Sequence, residues 1–176
     1  MTEMPGDTHA WVGAMISVSG RAVPVVDMQP EDVYEPDIAH ALGMICRYNG
    51  HVPRFYSVAE HCVRVAEMLR SWGEPSHVVL TGLVHDAHEA LTGDMIRPLK
   101  RTAGLGEEFL ALEAKVAEVV TRSFGGLWPH PGVVEEADRA VYYWEEANVR
   151  SGVHVGLSPV LATVQWRSQL ALLMPF

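Results

Sequence analysis

The chain lacks the features that mark secreted and membrane proteins. It contains two cysteines, Cys46 and Cys62, without CxxC spacing, so reduced thiols are expected rather than a disulfide framework. A membrane span needs about 18 consecutive apolar residues, and no such run occurs. The first residues, MTEMPGDTHA, have neither the basic nor the apolar region of a signal peptide. We therefore expect a cytoplasmic protein without a membrane partner.

Basic residues are also scarce. Thirteen Lys and Arg stand against 22 Asp and Glu, which gives a formal net charge of -9. A nucleic-acid polymer is bound through clustered Lys and Arg, so we expect no such partner. A small anionic ligand remains compatible with this charge, because a few arginines can reverse the field inside one cleft.

What the chain does have is enough apolar material for one core. Its 176 residues are 48% hydrophobic, and neither an internal repeat nor a break in composition divides them. We expect one domain over residues 1–176, with an N-terminal β appendage at 1–30 and a helical core at 36–172. The segments WVGAMISVSG and RAVPVVDM predict short strands around a turn at Ser19-Gly20.

The rest of the pattern is helical. IAHALGMICRY predicts a first helix that stops near Asn49-Gly50. Ser57 is a predicted N-cap for the second helix, with Glu60 completing a capping box. The third helix is predicted from Ser76 through HVVLTGLVHDAHEAL, and IRPLK after it is a loop or short turn. Three further helices are predicted at about 107–124, 133–150 and 159–172. The fold class is therefore all-α, a compact helical bundle with a short N-terminal β-ribbon.

The third helix contains polar side chains although a helix in the core is expected to be apolar. Most of its surface is apolar, yet His85, Asp86 and Glu89 fall on one arc. Enclosing an imidazole and two carboxylates is costly unless a partner compensates, and a divalent cation is such a partner. Gly82, one turn earlier, is predicted to leave room for a ligand beside this cluster.

Further ligands must come from other helices, because adjacent residues such as His85 and Asp86 cannot complete one ion's shell. His61 lies beside the apolar stripe of the second helix, and Asp138 lies on the inner face of the fifth, with Glu145 two turns further along. A single inward histidine or aspartate is more often a hydrogen-bonded core residue than a ligand. Spacing alone leaves that alternative open.

The order His61, His85-Asp86, Asp138 resembles the H…HD…D pattern of HD-domain phosphohydrolases. The strings SVAEH, LVHDAHEALTGDMIRPLK and EEADRAVYYWEE are similar to those of bacterial 5'-deoxynucleotidases and of small HD hydrolases common in phage genomes. One branch of the phage group is the dATP triphosphohydrolases. The resemblance runs from about residue 37 to residue 146.

The resemblance implies a role for each matching residue. One divalent ion, of manganese, cobalt, zinc or iron, would be held by His61, His85, Asp86 and Asp138. For catalysis and substrate binding, it implies a water-activating acid at Glu89, a second acid near the leaving group at Asp94, a phosphate-binding arginine at Arg47, a sugar neighbour at Tyr48, and a nucleotide-side loop with Pro98 and Lys100. Away from these, we expect His88 to take a surface or second-sphere position and Glu113 to form a buried ion pair.

Two departures from the relatives affect the expected substrate. The interval from Arg47 to His61 is one residue shorter than in the deoxynucleotidases. Glu135 and Glu136 precede Asp138 where relatives can have lysine, which favours a monophosphate substrate over a triphosphate.

The expected activity is therefore that of a 5'-deoxynucleotidase, which releases deoxynucleoside and phosphate. The alternatives are a dATP triphosphohydrolase that releases triphosphate, and a non-catalytic HD module that binds nucleotide. A metal-dependent oxygenase is more distant, because His51 or His88 would have to hold a second iron. Relatives are often dimers or larger, so a homo-oligomer is expected.

Overall fold

The computed structural model describes residues 14–174, which form a helical bundle with one short ribbon. The predicted all-α fold with an N-terminal β-ribbon is confirmed. The part of the predicted first strand at 11–13 lies outside the described residues. The elements are β1 Met15–Ile16, β2 Ala22–Val23, α1 Glu35–Met44, α2 Val58–Ser71, α3 Ser76–Val84, α4 Glu89–Thr92, α5 Arg97–Lys100, α6 Leu105–Ser123, α7 Gly132–Asn148 and α8 Pro159–Leu173.

The ribbon is shorter than predicted. Its two strands pair antiparallel over two residues each, with Met15 opposite Val23. Pro24 follows β2 and has no N–H to continue the ladder, and the next three residues form a 3₁₀ turn. Asp37 of α1 fastens the ribbon, because its carboxylate accepts hydrogen bonds from the Ser19 amide (3.2 Å) and hydroxyl (2.7 Å).

The first helix ends at Met44, so the prediction that it reaches Tyr48 is wrong. Backbone pairing with the segment before α2 competes with the helix: Cys46 and Ser57 form an antiparallel bridge. The Arg47 amide donates to the Tyr56 carbonyl at 2.9 Å. The chain then turns sharply at residues 47–50, a segment that lines the cleft described below.

The second helix begins as predicted. The Ser57 hydroxyl accepts from the Glu60 amide at 3.1 Å, which confirms the N-cap. The reciprocal half of the capping box is absent, because the Glu60 carboxylate instead accepts from His154 Nε2–H (2.6 Å) and the Leu157 amide (2.8 Å). Glu60 therefore anchors the segment between α7 and α8 to α2.

The third helix is not continuous, contrary to the prediction. It ends at Val84, and residues 85–88 form a tighter turn before α4 begins. In this turn the Ala87 amide bonds the Val84 carbonyl at 3.0 Å and the Glu89 amide bonds the Asp86 carbonyl at 3.0 Å. These are hydrogen bonds between residues three apart, as in a 3₁₀ helix, a geometry often found at functional positions.

The core surrounds α2, which packs against α3, α7 and α8. Trp166 of α8 is fully buried, and its indole N–H donates to the Leu83 carbonyl at 3.0 Å. Gly82 permits the close approach of α2, because a Cβ there would overlap the Leu69 side chain. The predicted room for a ligand beside Gly82 is thus taken by Leu69. Within residues 14–174, no helix is both long and apolar enough to cross a bilayer.

Candidate metal centre

The four predicted ligands come together from three parts of the fold. His61 comes from α2, His85 and Asp86 from the turn after α3, and Asp138 from α7. His61 Nε2 lies 3.4 Å from His85 Nε2, 3.5 Å from Asp86 Oδ2 and 3.2 Å from Asp138 Oδ1. His85 Nε2 lies 3.1 Å from Asp86 Oδ2. Ligand atoms of His61, His85 and Asp86 lie within 4.8 Å of one another, as expected of donors that share one ion, whereas Asp138 adjoins this group through its contact with His61.

Both imidazoles are oriented by hydrogen bonds at their other ring nitrogen. His85 Nδ1–H donates to the Gly82 carbonyl at 2.7 Å, and His61 Nδ1–H donates to Glu145 Oε1 at 2.7 Å. A carbonyl or an ionised carboxylate can only accept, so these bonds place the neutral-ring lone pairs on the two facing Nε2 atoms. Two such lone pairs repel unless a cation or a proton lies between them, so the residues fit a divalent ion.

The metal-ligand cluster is buried on one side and open on the other. His61 has no exposed surface and His85 is 6% exposed, whereas the side chains of Asp86 and Asp138 are 21% and 31% exposed. An ion held here would be shielded by the histidines and accessible past the two carboxylates. This arrangement leaves room for an exchangeable ligand such as water or substrate.

The electrostatics of the cluster also favour a cation. Burial lowers the pKa of both histidines, but nearby carboxylates outweigh it and raise the pKa of His85 well above its ordinary value through Asp86, and that of His61 through Glu145. Burial raises the pKa of Asp86, but the charges of His85 and His61 hold it well below its ordinary value. Protons and a divalent ion therefore compete for the Nε2 atoms of the two histidines, and protons compete better as the pH falls.

A cavity of about 470 Å³ opens beside the cluster, within the size range of ligand pockets. Two of the candidate ligands, Asp86 and Asp138, contribute to its wall. The other predicted site residues in the wall are Arg47, Tyr48, Glu89, Asp94, Pro98 and Lys100. The structure therefore brings together all ten predicted site residues around one cavity or directly behind it.

Arg47 lies between the cavity and the buried layer beneath it. Its guanidinium donates from Nη2 to Glu145 Oε2 at 3.1 Å, and Nη1 lies 3.8 Å from Asp86 Oδ2. Its Nε is buried without a hydrogen-bond partner among residues 14–174. Burial lowers the pKa of Arg47, but the charges of Glu145 and Asp86 outweigh this effect and raise the pKa well above its ordinary value. The guanidinium therefore keeps its positive charge at the cleft.

Glu89 is a buried acid with unused hydrogen-bonding capacity. It is 4% exposed, and within the described part of the chain its Oε2 has no partner. Burial, with the charges of Asp86 and Asp94, raises the pKa of Glu89 well above its ordinary value. A carboxyl group with a raised pKa and an oxygen free of hydrogen bonds is suited to exchange a proton with a water molecule. Asp94 is half-buried in the same wall.

Lys100 faces the cavity but is already paired. Its Nζ donates to Glu113 Oε1 at 2.8 Å, which confirms the buried ion pair predicted for Glu113. His88 Nε2 lies 3.5 Å from the same oxygen, and His88 is 7% exposed, so His88 is buried beside this ion pair and does not lie on the surface. Pro98 is exposed at the rim.

The structure adds two observations that the sequence did not predict. Possible ligand atoms of Asp86, His88 and Glu89 lie within 4.8 Å of one another, so a second donor group overlaps the first at Asp86. Glu145 is fully buried and contacts Arg47, Tyr48 and His61. Helical periodicity could have indicated that Glu145 is buried, because an acid two turns after Asp138 lies on the same inward face of α7.

The comparisons with known proteins agree with this geometry. The family described as HD domain matches residues 58–151, a segment that includes all four candidate ligands. The chain is 35% identical over 127 residues to an uncharacterized protein of Rhodobacter capsulatus, covering 70% of this chain and 64% of the relative. It is 34% identical over 107 residues to the uncharacterized protein YfdR of Escherichia coli, covering 61% and 56%. The chain thus spans less than two thirds of either relative's length.

Proposed function

This chain belongs to the HD-domain family, whose members are generally metal-dependent hydrolases, and from that premise we propose that it hydrolyses the 5'-phosphate ester of deoxynucleoside monophosphates. The products are a deoxynucleoside and phosphate. The observation that supports this most is the convergence of two Nε2 atoms and two carboxylates beside a 470 Å³ cavity that also contains Arg47.

The metal-binding residues in this proposal are His61, His85, Asp86 and Asp138. Imidazole and carboxylate ligands suit manganese, cobalt, zinc and iron alike. One divalent ion there would supply positive charge to a phosphoryl oxygen and make a bound water more acidic. Asp86 and Asp138, the more exposed ligands, would border the substrate.

The other residues act on the phosphate ester itself. Glu89 accepts the proton of the attacking water, for which its buried, unpartnered oxygen is suited. The Arg47 guanidinium donates hydrogen bonds to the phosphoryl oxygens, while Lys100 adds positive charge. Asp94 protonates the departing 5'-oxygen. Tyr48 and Pro98 border the nucleoside.

The charge of the cavity supports a monophosphate. Its wall contains four basic residues and four acidic ones, and the four acids are Asp86, Glu89, Asp94 and Asp138. Arg47 and Lys100 are each already paired with a buried carboxylate. Because these charges balance, each phosphate group adds uncompensated negative charge before the ion is counted, and a triphosphate adds more of it than a monophosphate does.

A dATP triphosphohydrolase is the second candidate. Arg97 and Arg150 lie in the same wall, and both stack on tyrosine rings, at 4.8 Å from the ring centroid of Tyr142 and 5.5 Å from that of Tyr48. These two arginines could extend phosphate binding beyond one group.

Product identification separates the candidates. The purified protein is incubated with dAMP, the other deoxynucleoside monophosphates and dATP, each with Mn²⁺, Co²⁺, Zn²⁺ or Fe²⁺ and with EDTA. We expect free phosphate from monophosphates and no turnover in EDTA. Triphosphate released from dATP would support the second candidate. Nucleotide binding without any turnover would support the non-catalytic module, and dioxygen consumption with two bound irons would support an oxygenase.

We also propose that the chain forms a homo-oligomer. Several large apolar side chains of α8 are exposed, at 71% for Val160, 57% for Leu161 and 54% for Val164. Exposed apolar patches often mark interfaces between chains. Light scattering after gel filtration tests this, with Leu161→Lys as the disrupting variant; a wild-type monomer at micromolar concentration would contradict it.

A further inference from the structure

One fully buried carboxylate lies beneath both halves of the site. Glu145 of α7 has no exposed surface, yet both of its oxygens are used. Oε1 accepts from His61 Nδ1–H at 2.7 Å. Oε2 accepts from Arg47 Nη2–H at 3.1 Å and from the Tyr48 hydroxyl at 2.5 Å. Three donors from α2 and from the turn at residues 47–50 thus converge on one carboxylate.

Each of the two oxygens serves a different part of the cleft. The bond to Oε1 keeps the proton of His61 on Nδ1 and its lone pair on Nε2, toward Asp86 and Asp138. The bonds to Oε2 hold the guanidinium of Arg47 within 3.8 Å of Asp86, at the wall of the cavity.

The turn that contains Arg47 needs such a restraint. Tyr48 and Asn49 both have positive φ, at 58° and 51°, which is a strained conformation for a bulky side chain. The Tyr48 hydroxyl is bonded to Glu145, so the strained turn is tied directly to α7. Without this bond the turn could relax and move Arg47.

We propose that Glu145 is a positioning residue that holds the metal ligand His61 and the phosphate-binding Arg47 in register with each other. The part concerning Arg47 rests on the proposed function, whereas the part concerning His61 requires only that the cluster binds a metal. Glu145 itself has no exposed surface and is not part of the cavity wall.

An amide of the same shape can satisfy only one side. If the amide oxygen of Glu145→Gln faces His61, its NH₂ group faces the donors of Arg47 and Tyr48. If the oxygen faces Arg47, the NH₂ group faces His61 Nδ1, which must then accept and leave its proton on Nε2. Either orientation damages one half of the site while keeping the volume of the side chain.

The test measures Mn²⁺ and inorganic phosphate binding by calorimetry, phosphate being titrated into the metal-loaded protein. We expect Glu145→Gln to weaken at least one of the two affinities by about 10- to 100-fold, the usual effect of losing an outer partner of a ligand. Glu118→Gln is the matched control, because the side chain of Glu118 is 47% exposed and its one ion pair among residues 14–174 is with Arg122 on the same helix. Both affinities within threefold of wild type in Glu145→Gln would overturn the proposal.

Tyr48→Phe gives a second test in case Glu145→Gln does not fold. It removes one donor to Oε2 and leaves the bond between Glu145 and His61 intact. We expect weaker phosphate binding, by several-fold, with Mn²⁺ affinity unchanged. A loss of Mn²⁺ affinity without a loss of phosphate affinity would overturn the division of labour between the two oxygens.

The two proposals can fail separately. If the wild-type protein binds Mn²⁺ and phosphate but hydrolyses no nucleotide, the proposed function fails, and the affinities of Glu145→Gln still decide the role of Glu145. If the wild-type protein hydrolyses nucleotides and Glu145→Gln keeps both affinities, only the role of Glu145 fails.

Discussion

The metal side of the cavity, with the candidate ligands, differs in structure from the substrate side, with the residues proposed to bind the nucleotide. On the metal side, His61 and His85 are almost fully buried, and each is fixed by a second hydrogen bond at 2.7 Å. On the substrate side, the residues lie in the turn at 47–50 and the segment at 94–100, parts of which are exposed. The difference indicates that the candidate metal ligands are preorganised, whereas the proposed substrate would have to rearrange existing ion pairs.

The ion pairs on the substrate side make this concrete. Arg47 is bound to Glu145 and Lys100 to Glu113 before any phosphate arrives. A phosphate must therefore share these cations with protein carboxylates, which lowers the affinity that each cation contributes. In the metal cluster, protons compete with the ion for the two Nε2 atoms, and Arg47 lies 3.8 Å from the Asp86 carboxylate.

The largest effect is expected from removing a metal ligand. Asp138→Asn replaces a ligand that is 31% exposed, so the fold should tolerate the change. We expect metal affinity to fall by more than the roughly 100-fold seen when an outer partner is lost, and activity to fall with it. Calorimetry with Mn²⁺ and elemental analysis of the purified variant measure this. Unchanged metal content would contradict the assignment of Asp138 as a metal ligand.

Glu89→Gln should separate chemistry from metal binding. Removing a general base lowers kcat by about 10² to 10⁴-fold, while Mn²⁺ affinity should stay within threefold of wild type. Steady-state kinetics and calorimetry test the two halves. A variant that keeps more than a tenth of the wild-type kcat would show that Glu89 is not the base.

Glu89→Gln is also expected to change how the stability of the fold depends on pH. The folded protein raises the pKa of Glu89, through burial and then the charges of Asp86 and Asp94, so it holds this proton more tightly than the unfolded chain does. The metal-free protein is therefore expected to lose stability as the pH rises above the ordinary pKa of glutamate. Glu89→Gln should melt higher than wild type at pH 8 in EDTA, with little difference at pH 4.

A smaller effect is expected from Arg47→Lys. Lysine keeps the charge but lacks the planar fork that binds Glu145 and, in the proposed complex, the phosphate at the same time. Losing one hydrogen bond to a charged group costs about 1.5–3 kcal/mol, so kcat/KM should fall by roughly 10- to 100-fold. Mn²⁺ affinity should change less than threefold, and an equal loss of metal and substrate binding would contradict the separation of the two sides.

The smallest effect is expected far from the cavity. Asp37 anchors the ribbon through Ser19, and although burial raises its pKa, hydrogen bonds from Ser17 and Ser19 hold it below the ordinary value. Its contribution is therefore present above the ordinary carboxyl pKa and is lost as the pH falls. Asp37→Asn should cost about 1 kcal/mol at pH 7 and less at pH 3, with kcat unchanged. Chemical denaturation at the two pH values measures this.

The sequence predicted regular helices better than their interruptions. The 3.6-residue period and the Ser57 cap located α2, because amphipathic burial and capping are local. The same period wrongly continued α3 through residues 85–88 and α1 through Cys46, where non-local pairing or tighter hydrogen bonding replaces the helix. Periodicity also placed Gly82 beside the site, but it could not show that Leu69 fills that space.

For the site, the resemblance to HD-domain phosphohydrolases named ten residues, and the structure places eight of them in the wall of one cavity, with His61 and His85 directly behind it. The sequence did not show that Lys100 is already bound to a protein carboxylate, because its partner Glu113 comes from α6. The sequence did not assign a role to Glu145 either, because the hydrogen bonds of Glu145 come from three donors in other segments. Such partnerships exist only after the helices have packed.

The most direct measurement is a crystal structure of the Mn²⁺-loaded protein with anomalous data collected at the metal edge. We expect one peak per chain, within about 2.0–2.3 Å of His61 Nε2, His85 Nε2 and one oxygen each of Asp86 and Asp138. No peak among these four residues, or an ion held instead by Asp86, His88 and Glu89, would contradict it.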